Sequence, residues 1–162
     1  MRKAIPLLLV LAMATPLLGL GAGMRLRAGI GLADVGYGVQ LASFEVHGDF
    51  PFLDPFALRL SVSFLPPLLP GEGTATVWEA GPILSLGEKF LFQLGGSGGV
   101  LWEGAPLVEP HLALDVLAGV AYRFGDIGLY FQGRIILAYK NAPRGTHSYA
   151  YQLWSFGMSL EL

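Results

Sequence analysis

Several features of an ordinary soluble domain are absent from this sequence or scarce in it. None of its 162 residues is cysteine, which excludes disulfides, thiol catalysis and cysteine-based metal sites, and also the acylated cysteine of a lipoprotein anchor. Charged residues make up only 14% of the chain, whereas a soluble domain usually carries roughly 25%. An ordinary water-exposed surface is therefore hard to assemble from this composition.

Charge of one sign is not concentrated anywhere either. The formal net charge is −2, and the sequence has neither the basic stripe that suits nucleic acid nor the polybasic segment that suits an anionic membrane surface. We therefore expect no nucleic-acid partner. The 23 glycines and 11 prolines are scattered among long β-rich runs rather than gathered in linkers, which argues against disorder.

The N-terminus has the three parts of a secretory signal peptide. Arg2-Lys3 forms a charged start, the 16 residues from Ile5 to Leu20 are mostly apolar, and small residues follow. A membrane-spanning helix needs about 20 apolar residues, and a proline interrupts this shorter run. We predict that residues 1–23 are a signal peptide and that residues 24–162 form one domain, with cleavage nine residues earlier as the alternative.

The clearest structural signal is the stretch from His111 to Lys140, where apolar residues recur at every second position. Gly125-Asp126 divides it into two arms, and both residues tolerate the backbone of a tight hairpin. Alternation of this length is typical of strands with two unlike faces. The apolar face is nearly continuous, whereas the other is small, polar and sparsely charged. This pattern favours strands whose apolar side meets lipid and whose polar side meets a narrow lumen.

Comparable segments along the chain predict eight strands, with a bulge or early strand end near Ser43-Phe44 and irregular pairing at Pro82. Because only helices and closed barrels satisfy the backbone in lipid, and no other stretch resembles a membrane helix, the fold class predicted is all-β: an eight-stranded antiparallel up-and-down transmembrane β-barrel. The strands are predicted at residues 24–33, 37–47, 56–65, 74–86, 90–102, 111–124, 127–140 and 148–162, with a loop at 48–55.

The alternation also predicts two sets of side chains. Charges inside so narrow a barrel must pair or hydrogen-bond, and the aromatic residues near outward strand ends suit a membrane interface. The predicted lumen network is Arg25, Arg27, Gln40, Arg59, Glu79, Gln93, Asp115, Arg123, Tyr130, Gln132, Arg134 and Glu161. The predicted interfacial girdle is Tyr37, Phe56, Phe64, Trp78, Phe90, Trp102, Tyr122, Phe124, Tyr139 and Trp154.

In strand count and in the alternation of its faces, the mature chain resembles the small eight-stranded outer-membrane barrels of the OmpA and OmpX type. Its closing segment, WSFGMSLEL from Trp154 to Leu162, resembles the terminal strand that the barrel-assembly machinery recognises in that group, although those strands typically end in an aromatic residue. The resemblance implies an outer-membrane location, contact with outer-membrane lipid and the assembly machinery as a partner. We expect no cofactor and no metal, and a monomer.

Three functions remain open. The first is a structural or interaction barrel, not an enzyme, with a lumen plugged by polar and charged side chains and external contacts through residues 66–73, 103–110 and 141–147. The second is an outer-membrane lipid-modifying enzyme, a hydrolase or acyltransferase. The third is a secreted, soluble, lipocalin-like barrel that binds a small apolar ligand, which would need a charged exterior that this composition does not provide.

The enzyme hypothesis depends on two weak signals. Gly95-Gly96-Ser97-Gly98-Gly99 matches the G-x-S-x-G pattern of serine hydrolases, but that motif needs a strand–elbow–helix context, and the flanking residues predict strand and loop. His111 could act as the base beside Ser97. The three histidines, His47, His111 and His147, lack the spacing of a metal site and are predicted to be loop or interfacial residues with no special role.

Overall fold

The computed structural model describes residues 23–34, 40–65, 74–103, 110–142 and 145–162. They form eight strands: β1 (Arg25–Asp34), β2 (Gln40–Leu53), β3 (Phe56–Leu65), β4 (Ala75–Leu86), β5 (Phe90–Glu103), β6 (Pro110–Phe124), β7 (Ile127–Ala142) and β8 (Gly145–Glu161). Each strand pairs antiparallel with the next, and β8 pairs with β1, so the sheet closes into a barrel. The predicted eight-stranded antiparallel up-and-down barrel is confirmed. The predicted signal peptide, except Gly23, lies outside the described residues.

The two faces of the sheet differ sharply in polarity. Leu129 is 50% exposed and Phe156 is 60% exposed on the outer wall, whereas Asp115 and Arg134 are each 3% exposed on the inner face. Successive side chains of a strand point to opposite faces, so the alternation in the sequence separates an apolar exterior from a polar interior. Within the described part of the chain, no helix is long and apolar enough to cross a membrane.

Most connections at one end of the barrel are shorter than those at the other, and the two-residue connection between β7 and β8 is the exception. At one end, which we call the short-turn end, β2 joins β3 through Asp54-Pro55, a cis peptide, and the other turns lie at 87–89 and 125–126. Gly87 and Gly125 have φ values of +112° and +69°, in the left-handed region that favours glycine. At the opposite loop end, the connections contain residues outside the described ranges: 35–39, 66–73, 104–109 and 143–144.

The prediction for the second strand is wrong in two respects. The register of β2 with β1 runs unbroken past Ser43-Phe44, and the irregularity lies instead between Pro51 and Leu53. Residues 48–53 are strand rather than loop because the inward–outward alternation continues through Asp49. The connection that follows is the two-residue turn at Asp54-Pro55. Similarly, residues 141–142 and 145–147 extend β7 and β8 where a loop was predicted.

Candidate functional site

The interior is the only region of the described chain where many polar side chains converge, and it has three zones along the barrel axis. At the short-turn end lies the mouth, where Arg25, Arg123 and Glu161 meet. Glu161 accepts a hydrogen bond from Nε of Arg25 at 2.9 Å and another from the guanidinium of Arg123. These three side chains remain 24–29% exposed, so water reaches the mouth.

Immediately inside the mouth, one carboxylate is held by two arginines. Arg59 binds Asp49 through both oxygens, with Nε–Oδ1 at 2.6 Å and a second N–O distance of 3.0 Å. Nε of Arg27 lies 2.9 Å from Oδ2 of the same carboxylate. Arg27 also donates to Gln93 at 2.6 Å, and Gln93 donates to Ser85 at 3.0 Å. All of these groups except Ser85 are buried.

The middle zone, which we call the ionic core, is centred on Arg134. Its guanidinium donates to Asp115 at 2.9 and 3.0 Å, to Glu45 at 3.3 Å, and also to Glu79. A further hydrogen bond of 2.7 Å reaches Ser63. The three acids lie on β2, β4 and β6, Ser63 lies on β3 and the arginine lies on β7, so one side chain joins five strands. A single cation therefore lies among three buried carboxylates.

Glu45 accepts hydrogen bonds from the uncharged donors of the ionic core. Its Oε1 accepts from Ser155 at 2.5 Å, Gln132 at 2.7 Å and Tyr130 at 3.2 Å. Gln132 in turn accepts from Arg59 at 3.0 Å. Because a guanidinium can only donate, this contact fixes which atom of the Gln132 amide is the oxygen. The chain of bonds connects the ionic core to the arginines behind the mouth.

Towards the loop end, the interior is apolar. This third zone, which we call the apolar plug, consists of side chains that are at most 1% exposed and come from seven strands: Ala33, Leu65, Ala75, Val77, Leu101, Ala113, Ile136, Ala138, Tyr151 and Leu153. The alternation in the sequence predicts only polar and charged filling for the lumen. That expectation does not hold at this end, where both faces of the strands carry apolar residues.

The structure brings most of the predicted lumen residues together. Only Gln40 cannot be placed, since its side chain lies outside the described residues. Three inward residues of β2, Glu45, His47 and Asp49, belong to the same network and were missed. Their signal was present in the sequence, because polar residues at positions 43, 45, 47 and 49 alternate with apolar ones. The predicted bulge obscured it.

The predicted girdle residues lie on the outer wall where they are described, and Tyr37 lies outside the described residues. Trp78, Trp102 and Tyr139 are half-buried. Rings pair edge to face near both ends, with centroids 6.2 Å apart for Trp78 and Trp102 and 4.6 Å for Tyr122 and Phe124. The more exposed members, at 41–58%, are Phe56, Phe64, Phe90, Tyr122, Phe124 and Trp154.

The prediction for two of the histidines is wrong. His47 is 1% exposed and His111 is 7% exposed, because both occupy inward positions of strands rather than loops. Nε2 of His47 lies 3.1 Å from Oε1 of Glu45 and 3.1 Å from Nε2 of Gln132. The side chain of His147 lies outside the described residues. Among the residues that are described, no three His, Cys, Asp or Glu side chains are grouped so that they could hold a metal ion.

Ser97 and His111 are not assembled into a catalytic pair. The hydroxyl of Ser97 donates to Asp115 at 3.4 Å, and the two residues are directly paired across β5 and β6. His111 pairs with Leu101, four residues further along β5, which is about 13 Å at the rise of an extended strand. The G-x-S-x-G run is strand throughout, so it lacks the elbow that a hydrolase nucleophile requires.

Gly99 allows close packing of β5 against β4, and its neighbour Gly98 provides a testable contrast. A Cβ on Gly99 would overlap the backbone of Trp78 and Glu79, whereas a Cβ on Gly98 would lie 3.7 Å from Leu114 Cδ2. We expect Gly99→Ala to lower the free energy of unfolding by about 1–3 kcal/mol and Gly98→Ala to change it by less than about 0.5 kcal/mol. Urea unfolding in detergent measures both, and equal effects would contradict the packing role.

Comparison with known proteins finds solved structures that are similar to this barrel. No protein-family model and no curated protein matches the sequence. Neisserial surface protein A superposes with a TM-score of 0.68 at 14% identity, over 86% of this chain and 96% of that one. The N-terminal β-barrel domain of Pseudomonas aeruginosa OprF gives 0.54 at 11% identity, over 88% and 99%. A de novo designed transmembrane β-barrel gives 0.52 at 9% identity, over 88% and 98%.

Identities this low establish a shared fold and nothing further. The designed barrel is similar in fold, so similarity to this architecture does not require common ancestry. The chain has the fold of the small eight-stranded outer-membrane β-barrels, which confirms the predicted resemblance to the OmpA and OmpX type at the level of fold.

Proposed function

We propose that the chain is an outer-membrane barrel with a structural or interaction role, whose lumen does not conduct ions and whose external contacts are made at the loop end. The observation that carries this proposal is the combination of an apolar exterior with an interior filled by side chains. Neither feature alone would be sufficient, because soluble barrels have filled interiors and porins have apolar exteriors.

The exterior supports contact with lipid. Among the described residues, every Asp, Glu, Lys or Arg that is fully exposed lies in a turn at the short-turn end: Asp54, Glu88, Lys89 and Asp126. The strands themselves present Leu, Ile, Val, Phe and Met side chains to the outside. A soluble lipocalin-like barrel would need charged side chains along the walls, so this distribution favours the membrane.

The interior supports a closed lumen. Ions that entered from the mouth would meet the ionic core, where Arg134 and its carboxylates are almost completely buried, and then the apolar plug, whose members are at most 1% exposed. Passage would require breaking buried ion pairs and hydrating an apolar constriction, and both steps are costly. We therefore expect the protein to act through its surfaces rather than by transport.

Two partners follow from this proposal. Outer-membrane lipid covers the apolar wall, with the aromatic girdle at the membrane surfaces. The barrel-assembly machinery engages β8, whose last ten residues close the barrel against β1.

We also propose that the chain is not an enzyme, since Ser97 and His111 stand too far apart to cooperate and no other candidate triad was predicted.

Fractionation and conductance together test the proposal. We expect the expressed protein to be recovered with the outer membrane and to migrate differently on a denaturing gel with and without heating, because a folded barrel resists detergent. Reconstituted into planar bilayers, it should show negligible steady conductance, with a porin as positive control. Stable channels of nanosiemens size would contradict the closed lumen, and recovery in the soluble fraction would contradict the location.

A further inference from the structure

The mouth contains a pocket whose position and charge suggest a ligand. Its volume is about 160 Å³, and it opens at the short-turn end between the first residues of β1 and the turns that follow β2 and β4. Its charged and polar lining includes Arg25, Asp49, Asp54, Ser85 and Arg123. Because the apolar plug closes the other end of the lumen, a solute reaches this pocket from the short-turn side.

The charges of the interior are distributed unevenly along the axis. In and behind the mouth, Arg25, Arg27, Arg59 and Arg123 stand against two paired carboxylates, Asp49 and Glu161. This is an excess of two positive charges, and Asp54, the one further charged residue that lines the pocket, reduces it to one. In the ionic core the balance is reversed, since a single arginine faces three carboxylates. The pocket therefore lies at the positive end of the lumen.

The two arginines of the pocket have N–H groups that are not used in binding other side chains. Each guanidinium carries five N–H groups. Towards other side chains of the described chain, Arg25 donates only from Nε and Arg123 only from one terminal nitrogen, and both bind the same oxygen of Glu161. Ser85 accepts from Gln93, so its own hydroxyl proton is available to an acceptor. These groups are partly exposed, and an incoming anion would not have to break the buried network.

We propose that this pocket binds a small oxyanion of the phosphate or carboxylate type, held between Arg25 and Arg123. Paired guanidinium groups match the geometry of such anions. Glu161 is the internal competitor for both arginines, so it sets the affinity of the site. This site lies beyond the proposed structural role and does not depend on it, since it would bind its anion in detergent as well as in a membrane.

Nuclear magnetic resonance titration of the folded barrel in an uncharged maltoside detergent tests the site. Inorganic phosphate and, separately, acetate are added while the side-chain Nε–H signals of Arg25 and Arg123 are followed. We expect saturable shifts with at least one of the two anions. A third titration with a phosphocholine detergent asks whether a lipid headgroup is the source, in which case it should displace the free anion. Shifts that do not saturate with either anion would overturn the proposal.

Three variants make the test specific. Arg123→Gln should weaken binding about ten-fold through loss of a charged hydrogen-bond donor. Glu161→Gln should tighten it about five-fold, because it removes the competing charge; weaker binding would overturn the proposal. Glu88→Gln, on the same end but outside the pocket, should leave it unchanged. If Arg123→Gln fails the heat-modifiability check for folding, Glu161→Gln decides the outcome.

Discussion

Replacing Arg134 with methionine is expected to lower the free energy of unfolding by about 3–5 kcal/mol, the usual cost of removing one partner from a buried ionic network. The substitution keeps the approximate length of the side chain and removes its charge. Glu45, Glu79 and Asp115 then remain inside the barrel with no arginine among them. Reversible urea unfolding of the folded barrel, followed by tryptophan fluorescence and by gel migration, measures the loss.

Two further variants distinguish the effect of the buried charges on stability from the effect of losing any arginine. Arg123→Gln at the exposed mouth removes a pair whose members are nearly 30% exposed, and such pairs contribute only about 0–1 kcal/mol. Glu79→Gln in the Arg134→Met background removes one of the stranded charges and should restore part of the stability. If Arg134→Met cost no more than Arg123→Gln, the ionic core would not be the electrostatic centre of the barrel.

Much of this architecture could be predicted because the strands and turns of a barrel are determined by residues that are close together in the sequence. The inward position of Asp115 and Arg134 follows from alternation within one strand, and the turn at Gly125-Asp126 follows from two residues. The same reasoning failed for β2 because Gly48 and Pro51 resemble the start of a loop. In the folded barrel Gly48 pairs with Leu26 of β1 and Leu60 of β3. Pairing with both neighbouring strands keeps the backbone of Gly48 extended.

The partners inside the lumen could not be predicted from the sequence. Arg134 meets Glu79 across 55 positions and Glu45 across 89, and such meetings depend on the tilt and stagger of all eight strands. The apolar plug was missed for a different reason. At Leu101 and Ile136 both faces of the strand are apolar, so the alternation that distinguishes inside from outside disappears there.

A charge placed on the outer wall should distinguish a membrane barrel from a soluble one. Val116 lies at the middle of β6 and is 68% exposed. In a lipid bilayer, Val116→Arg is expected to cost about 2–4 kcal/mol, the penalty for arginine near the bilayer midplane. In a soluble barrel the same exposed position would tolerate arginine to within about 0.5 kcal/mol. Reversible unfolding from phospholipid vesicles measures the difference.

Leu53 supplies the matched control for this substitution. It is 65% exposed, close to the exposure of Val116, but it ends β2 at the short-turn end, where the wall would meet the lipid headgroups. Leu53→Arg should therefore cost only about 0–1 kcal/mol. A penalty that depends on position along the strand, at equal exposure, can arise only if the surroundings of the barrel change from one end to its middle. Equal costs at the two positions would mean that the outer wall does not face lipid.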